Sequence, residues 1–235
     1  YRTDPDKVAA LLPPGIEPGA NPHVTLTIYN YPVPDEPEYG IVTTVDASYN
    51  GIEGEYTLGY GIDQESAIFI SQETNGQPKY PCTTEYYRLG PQVTARCTHQ
   101  GYTFVEFKGV STGPAEMPDD FDQHEWWIKV SRAVSVGGPA TAYDFPPHVV
   151  HVRSRYGTAW REEVQGELIL RDSPWDPLAT LLPMREQLSA HLWWPTFLDR
   201  EIKLAGKLDP EAFLPFVDTI SGSRWPGENG GPKRS

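Results

Sequence analysis

Apolar positions along the chain fall in short runs of period two, with few long helical stripes. Residues 23–31 alternate: Val24, Leu26 and Ile28 on one face, Thr25, Thr27 and Tyr29 on the other. That is a strand with one face on a core. Comparable runs predict strands at 39–49, 54–61, 67–70, 92–99, 102–107, 124–130, 149–160 and 164–170. Asn50-Gly51 has the chemistry of a two-residue hairpin turn. Gln100-Gly101 joins a second hairpin, and residues 63–66 turn into the strand at 67–70. Trp126-Trp127 puts one indole on each face of its strand.

Helical signals sit at the two ends. Thr3-Asp4-Pro5-Asp6 reads as a helix start, with Thr3 or Asp4 as cap and Pro5 in the first turn. The helix runs to Leu12 and stops at Pro13-Pro14. Asp176 caps a short helix, residues 184–194 and 195–204 carry apolar side chains at helical spacing, and a last helix ends at Val217. Residues 32–37 form a proline-rich acidic loop and 111–122 a loop or flap. The picture is a β-rich α+β domain over 1–220, with C-terminal helices in 183–220 and a disordered tail at 221–235.

Composition narrows the partners. A net charge of −13 opposes binding to nucleic acid or an anionic membrane, which need a basic face. No apolar run approaches the roughly 20 residues of a membrane span. A cytoplasmic protein is expected. The chain opens at Tyr1 without a methionine, as a trimmed start would. Cys82 and Cys97 lack metal spacing; free thiols are expected, with a disulfide left open. His148 and His151 fall on opposite faces of a strand and share no metal.

One stretch carries chemistry, Gln72-Glu73-Thr74-Asn75-Gly76-Gln77-Pro78-Lys79-Tyr80-Pro81. Pro78 stiffens the backbone and keeps Gln77 out of the helical region. A lysine pinned just past a buried strand is a candidate amine nucleophile, because desolvation keeps part of it neutral. The competing reading is a surface lysine in a loop.

The order of motifs then matters. Tyr1-Arg2-Thr3-Asp4 leads into a helix and Leu-Pro-Pro. Tyr49-Asn50-Gly51-Ile52-Glu53-Gly54-Glu55-Tyr56 follows, then Glu73 and Pro78-Lys79, and finally Gly166–Leu170 with Asp176-Pro177-Leu178. Over residues 1–183 this succession resembles the acetoacetate decarboxylase family. The resemblance implies a closed antiparallel β-barrel with a buried pocket and peripheral helices. It implies that Lys79 forms a Schiff base with a keto acid or related carbonyl compound, without a cofactor. The pocket would be built from Thr27, Tyr29, Tyr39, Gly40, Gln72, Glu73, Gln77 and Tyr80. It also implies a homo-oligomer.

The chain departs from the family pattern at several of these places. Tyr80 stands where the family commonly has a second lysine, and Gln72-Glu73 where it has arginine-glutamate. Thr27 and Gly40 fall at its two pocket glutamates, and its active-site arginine falls upstream of Tyr1. Fewer carboxylates and more tyrosines suit a larger, less charged substrate, as in secondary metabolism. The expected activity is a Schiff-base lyase, of decarboxylase or aldolase-dehydratase type. The alternatives are an isomerase, cyclase or hydrolase of the same fold without imine chemistry, and a non-catalytic barrel for a hydrophobic ligand.

Overall fold

A computed structural model describes residues 1–32, 37–134, 143–219 and 225. Eleven strands belong to one sheet: β1 Glu17–Pro18, β2 Val24–Tyr31, β3 Glu38–Tyr49, β4 Ile52–Ile62, β5 Lys79–Pro81, β6 Thr83–Leu89, β7 Gln92–His99, β8 Tyr102–Pro114, β9 Phe121–Arg132, β10 Tyr143–Leu170 and β11 His191–Lys207. The helices are α1 Pro5–Ala9, α2 Glu65–Asn75 and α3 Leu178–Leu181, with a 3₁₀ helix at Leu214–Thr219.

Local turn chemistry explains the hairpins. Asn50 and Gly51 both take positive φ, 51° and 74°, as do Gln100 and Gly101 at 50° and 82°. Two successive left-handed residues give the turn whose twist matches that of the strands. These turns join β3 to β4 and β7 to β8.

The sheet runs β1-β3-β4-β9-β10-β8-β7-β6, with β2 on β3, β5 on β4 and β11 on β10. The expected closed antiparallel barrel is therefore corrected: the chain forms a single mixed sheet that does not close. Two of its pairings, β4 with β5 and β4 with β9, are parallel. The first has a clear cause. Residues 67–70, expected as a strand, lie inside helix α2, and a strand–helix–strand crossover returns the chain parallel to where it left. Only Ile68 of that apolar run is buried, while Phe69 and Ile70 are exposed, as one face of a helix requires.

The C-terminal helices expected across 183–220 are corrected too. Residues 191–207 form β11, paired antiparallel with β10 from His148 to Glu163. Aromatic and β-branched residues dominate its first half, and Pro195 sits beside a register shift, where a missing N–H is tolerated. Among the described residues of this range, only the 3₁₀ helix at Leu214–Thr219 is helical. Of residues 111–122, expected as a loop or flap, only 115–120 are irregular: β8 reaches Pro114 and β9 starts at Phe121. Of the loop 32–37, residues 33–36 lie outside the described residues. So does the tail expected at 221–235, apart from Trp225, whose indole donates to the Trp175 carbonyl at 3.1 Å.

Two apolar clusters cover the two faces of the sheet. The larger holds Val8, Leu11, Val24, Tyr80, Cys82, Phe104, Trp126 and Ile128. The smaller holds Tyr60, Ile62, Ile68, Trp127, Val150 and Val152, with Tyr29 and Val42 against it. Trp126 and Trp127 thus serve opposite faces. Cys82 and Cys97 are both buried thiols, not joined in a disulfide.

Candidate active site around Lys79

Helix α2 and strand β5 place the lysine. Gly76 ends α2 at φ 67°, and its N–H closes onto the Gln72 carbonyl at 2.9 Å. A left-handed glycine is the usual way to stop a helix abruptly. Here nothing else fits: a Cβ at 76 would lie 2.5 Å from the Ile128 carbonyl oxygen. Two residues later Pro78 enters β5. Its carbonyl accepts the Tyr60 N–H at 2.9 Å, and Lys79 pairs in register with Tyr60. The Gln72 side chain donates to the Lys79 carbonyl. The lysine backbone is held from both sides.

Lys79 is only 8% exposed, so the reading of a surface lysine fails. Its Nζ donates to Glu38 Oε2 at 2.8 Å, and Tyr29 donates its hydroxyl to Glu38 Oε1 at 2.5 Å. Burial, then the hydrogen bond to Glu38, pushes the Tyr29 phenol far above its usual range, so it stays an O–H donor. The cluster is a buried amine–carboxylate pair joined by one half-buried phenol.

A second carboxyl lies on the same face. Glu125, on β9, accepts the Tyr60 hydroxyl at 2.6 Å and that of Thr57 at 3.4 Å. Trp127 donates to Thr57 at 3.2 Å. Burial raises the Glu125 carboxyl above its usual range, and the Tyr60 hydrogen bond partly opposes this. The Tyr29 phenol feels both Glu38 and Glu125.

Lys79 lines a cavity of about 560 Å³, within the usual size of small-molecule sites. Ile62, Ile68 and Phe69 give it apolar walls, Trp175 and His99 close another side, and Asp63 and Glu65 bring acidic groups. A group of metal-ligand side chains is absent among the described residues.

The residues expected in the pocket divide. Lys79, Gln72 and Tyr80 line the cavity, and Tyr29 reaches Lys79 through Glu38. Gly40 lies under the Tyr29 hydroxyl. The others do not join them. Thr27 is exposed. Tyr39 is 37% exposed with its ring 6.0 Å from that of Tyr86, and its N–H fixes Asp63 Oδ1 at 3.0 Å. Glu73 is exposed, and its carbonyl accepts Lys129. Gln77 offers its carbonyl to the Lys79 N–H at 2.7 Å. The sequence reading missed Glu38, the partner of the amine. The available signal was periodicity: Glu38 is two residues before Gly40 and so on the same face of β3.

Comparisons with known proteins give the family and the fold. The family model described as acetoacetate decarboxylase matches residues 1–207. A curated acetoacetate decarboxylase of Paraburkholderia phytofirmans is 36% identical over 84 residues, 34% of this chain and 32% of the relative. The matched stretch thus spans about a third of that relative's length. Among solved structures, acetoacetate decarboxylase from Legionella pneumophila superposes with a TM-score of 0.69 at 15% identity, covering 88% of this chain and 80% of the other. The enduracididine biosynthesis enzyme MppR gives 0.68 at 18%, covering 88% and 83%. At such identities the likeness is one of fold.

Proposed function

This chain belongs to the acetoacetate decarboxylase family, and we propose that it is a lysine Schiff-base lyase acting on a keto acid or a related carbonyl compound. The observation that carries the reading is the Lys79 amine, buried and 2.8 Å from Glu38, on a residue that lines the cavity. Glu38 is the acceptor placed to take a proton from the amine. The neutral amine attacks the carbonyl carbon, and loss of water leaves a protonated imine. That imine draws the electron pair of the breaking carbon–carbon bond, carbon dioxide or a carbonyl fragment departs, and an enamine remains. Protonation of the enamine carbon and hydrolysis then free the product and Lys79. The Tyr29 hydroxyl donates to Glu38 and so orients the carboxylate that takes the amine proton.

The neighbours guide the choice of substrate. One relative is an acetoacetate decarboxylase, and MppR has been solved with pyruvate. The test is borohydride reduction in the presence of acetoacetate or pyruvate, read by mass on the peptide holding Lys79. A reduced adduct on that residue is expected, and none on Lys79→Ala. Failure to trap any keto acid at neutral pH would overturn the proposal.

A second reading follows from the same ion pair. If Glu38 keeps the amine protonated throughout, Lys79 acts as a fixed cation that polarises a carbonyl, in an isomerase, cyclase or hydrolase. Lys79→Arg separates the two. A fixed-cation enzyme keeps appreciable activity with arginine, and an imine enzyme loses it.

A further inference from the structure

The wall of the cavity includes His99, half of an acid–imidazole pair that the chemistry above does not use. His99, the last residue of β7, brings Nδ1 to 2.7 Å from Asp176 Oδ2. Asp176 is 1% exposed and His99 8%. The imidazole is held between the rings of Tyr80 and Trp175, at centroid distances of 5.0 and 5.9 Å. His99 and Trp175 line the same cavity as Lys79. Asp176 does not cap α3, as its sequence context suggested.

A structural staple is a weaker account of the pair. The loop carrying Asp176 is already fixed by Ser173, whose Oγ accepts the N–H groups of Trp175 and Asp176 at 3.2 Å each. Leu178, two residues on, is 1% exposed in the core. What Asp176 adds is orientation. A carboxylate on Nδ1–H fixes the tautomer and leaves Nε2 with its lone pair as the nitrogen that can act.

We propose that His99 is the proton-transfer residue of the Lys79 cavity, that Asp176 positions it, and that the substrates are therefore ketones with a C–H bond next to the carbonyl. The inference rests on imine formation at Lys79. Once the protonated imine exists, Nε2 takes a proton from the adjacent carbon. The C–H electron pair becomes a carbon–carbon double bond, and the imine π pair returns to nitrogen as an enamine. The imidazolium later returns a proton to that carbon. Decarboxylation reaches the enamine by losing carbon dioxide and does not need such a base. Aldol and dehydration chemistry does.

Acetone in D₂O tests this with the full chain. Borohydride trapping reports the imine, and methyl H/D exchange, followed by NMR, reports the proton transfer. The wild-type protein is expected to do both. His99→Asn is expected to trap within about twofold of wild type while exchange falls by about 10²-fold or more, the usual worth of a positioned acid–base group. Asp176→Asn is expected to slow exchange without changing the acetone concentration that half-saturates trapping. Added imidazole should restore exchange to His99→Ala. Wild-type exchange by His99→Asn would overturn the inference, as would loss of trapping and exchange together without imidazole rescue. A wild-type protein that traps but does not exchange overturns the inference and leaves the imine reading standing; one that does not trap overturns both.

Discussion

Glu38 and Gly40 stand two residues apart on one face of β3, and Glu38 brings its carboxylate to 2.8 Å from the Lys79 amine. Tyr29 fills the space over Gly40 and bonds the same carboxylate, so the three positions act as one unit.

The first prediction concerns the ion pair. The side chains of Lys79 and Glu38 are 9% and 10% exposed. Removing one partner of a buried pair strands the other's charge, at about 3–5 kcal/mol. Glu38→Gln is expected to lower stability by that order in urea unfolding. In a double-mutant cycle with Lys79→Met, the two losses should fall well short of adding. Additive losses would mean that the two groups do not interact.

A second prediction follows from the space at Gly40. A Cβ there would lie 2.7 Å from the Gly61 carbonyl oxygen and 2.8 Å from the Tyr29 hydroxyl. The first neighbour is backbone and cannot step aside. Gly40→Glu is expected to cost about 1–3 kcal/mol by overpacking. A shift in thermal midpoint, compared with Thr27→Glu at an exposed site, checks it.

Much of this was legible where it is local. The alternation in β2 and the turns at Asn50-Gly51 and Gln100-Gly101 follow from neighbouring residues alone, and the structure has them. The apolar run at 67–70 is too short for periodicity to separate strand from helix, and only its packing through Ile68 decides. Residues 184–204 read as helical because apolar spacing was counted without the partner strand that takes up the backbone groups from 191 onward. Lys79 could be found from its proline context. Glu38 was within reach only through its parity with Gly40, since its partner Lys79 lies 41 residues away, and Asp176 had no such signal, with His99 77 residues away.

The C-cap of α2 supplies a third prediction. Gly76 needs glycine twice, for its φ of 67° and for the approach of Ile128. The left-handed conformation alone costs an ordinary residue about 1–2 kcal/mol. Gly76→Ala is expected to exceed that, because the clash with β9 adds to it. Since Gln72 ties α2 to the Lys79 carbonyl, borohydride trapping should weaken in the same variant. Hydrogen exchange should show α2 opening before the sheet.

The last prediction is the sign of a pH effect. Burial raises the Glu125 carboxyl above its usual 4.5 in the folded protein. The folded state therefore holds this proton more tightly than the unfolded chain does. Stability from this group is full below about 4.5 and falls as pH rises through the folded-state value. At neutral pH the carboxyl is a liability, either ionised in a buried site or kept neutral against the solvent. Glu125→Gln keeps an oxygen to accept from Tyr60 and removes the titration. The variant is expected to flatten the fall in stability above pH 4.5 and to gain on the wild type as pH rises, as urea unfolding across pH 4 to 8 would show. An unchanged slope would mean that Glu125 gives up its proton as readily in the folded protein as in the unfolded chain.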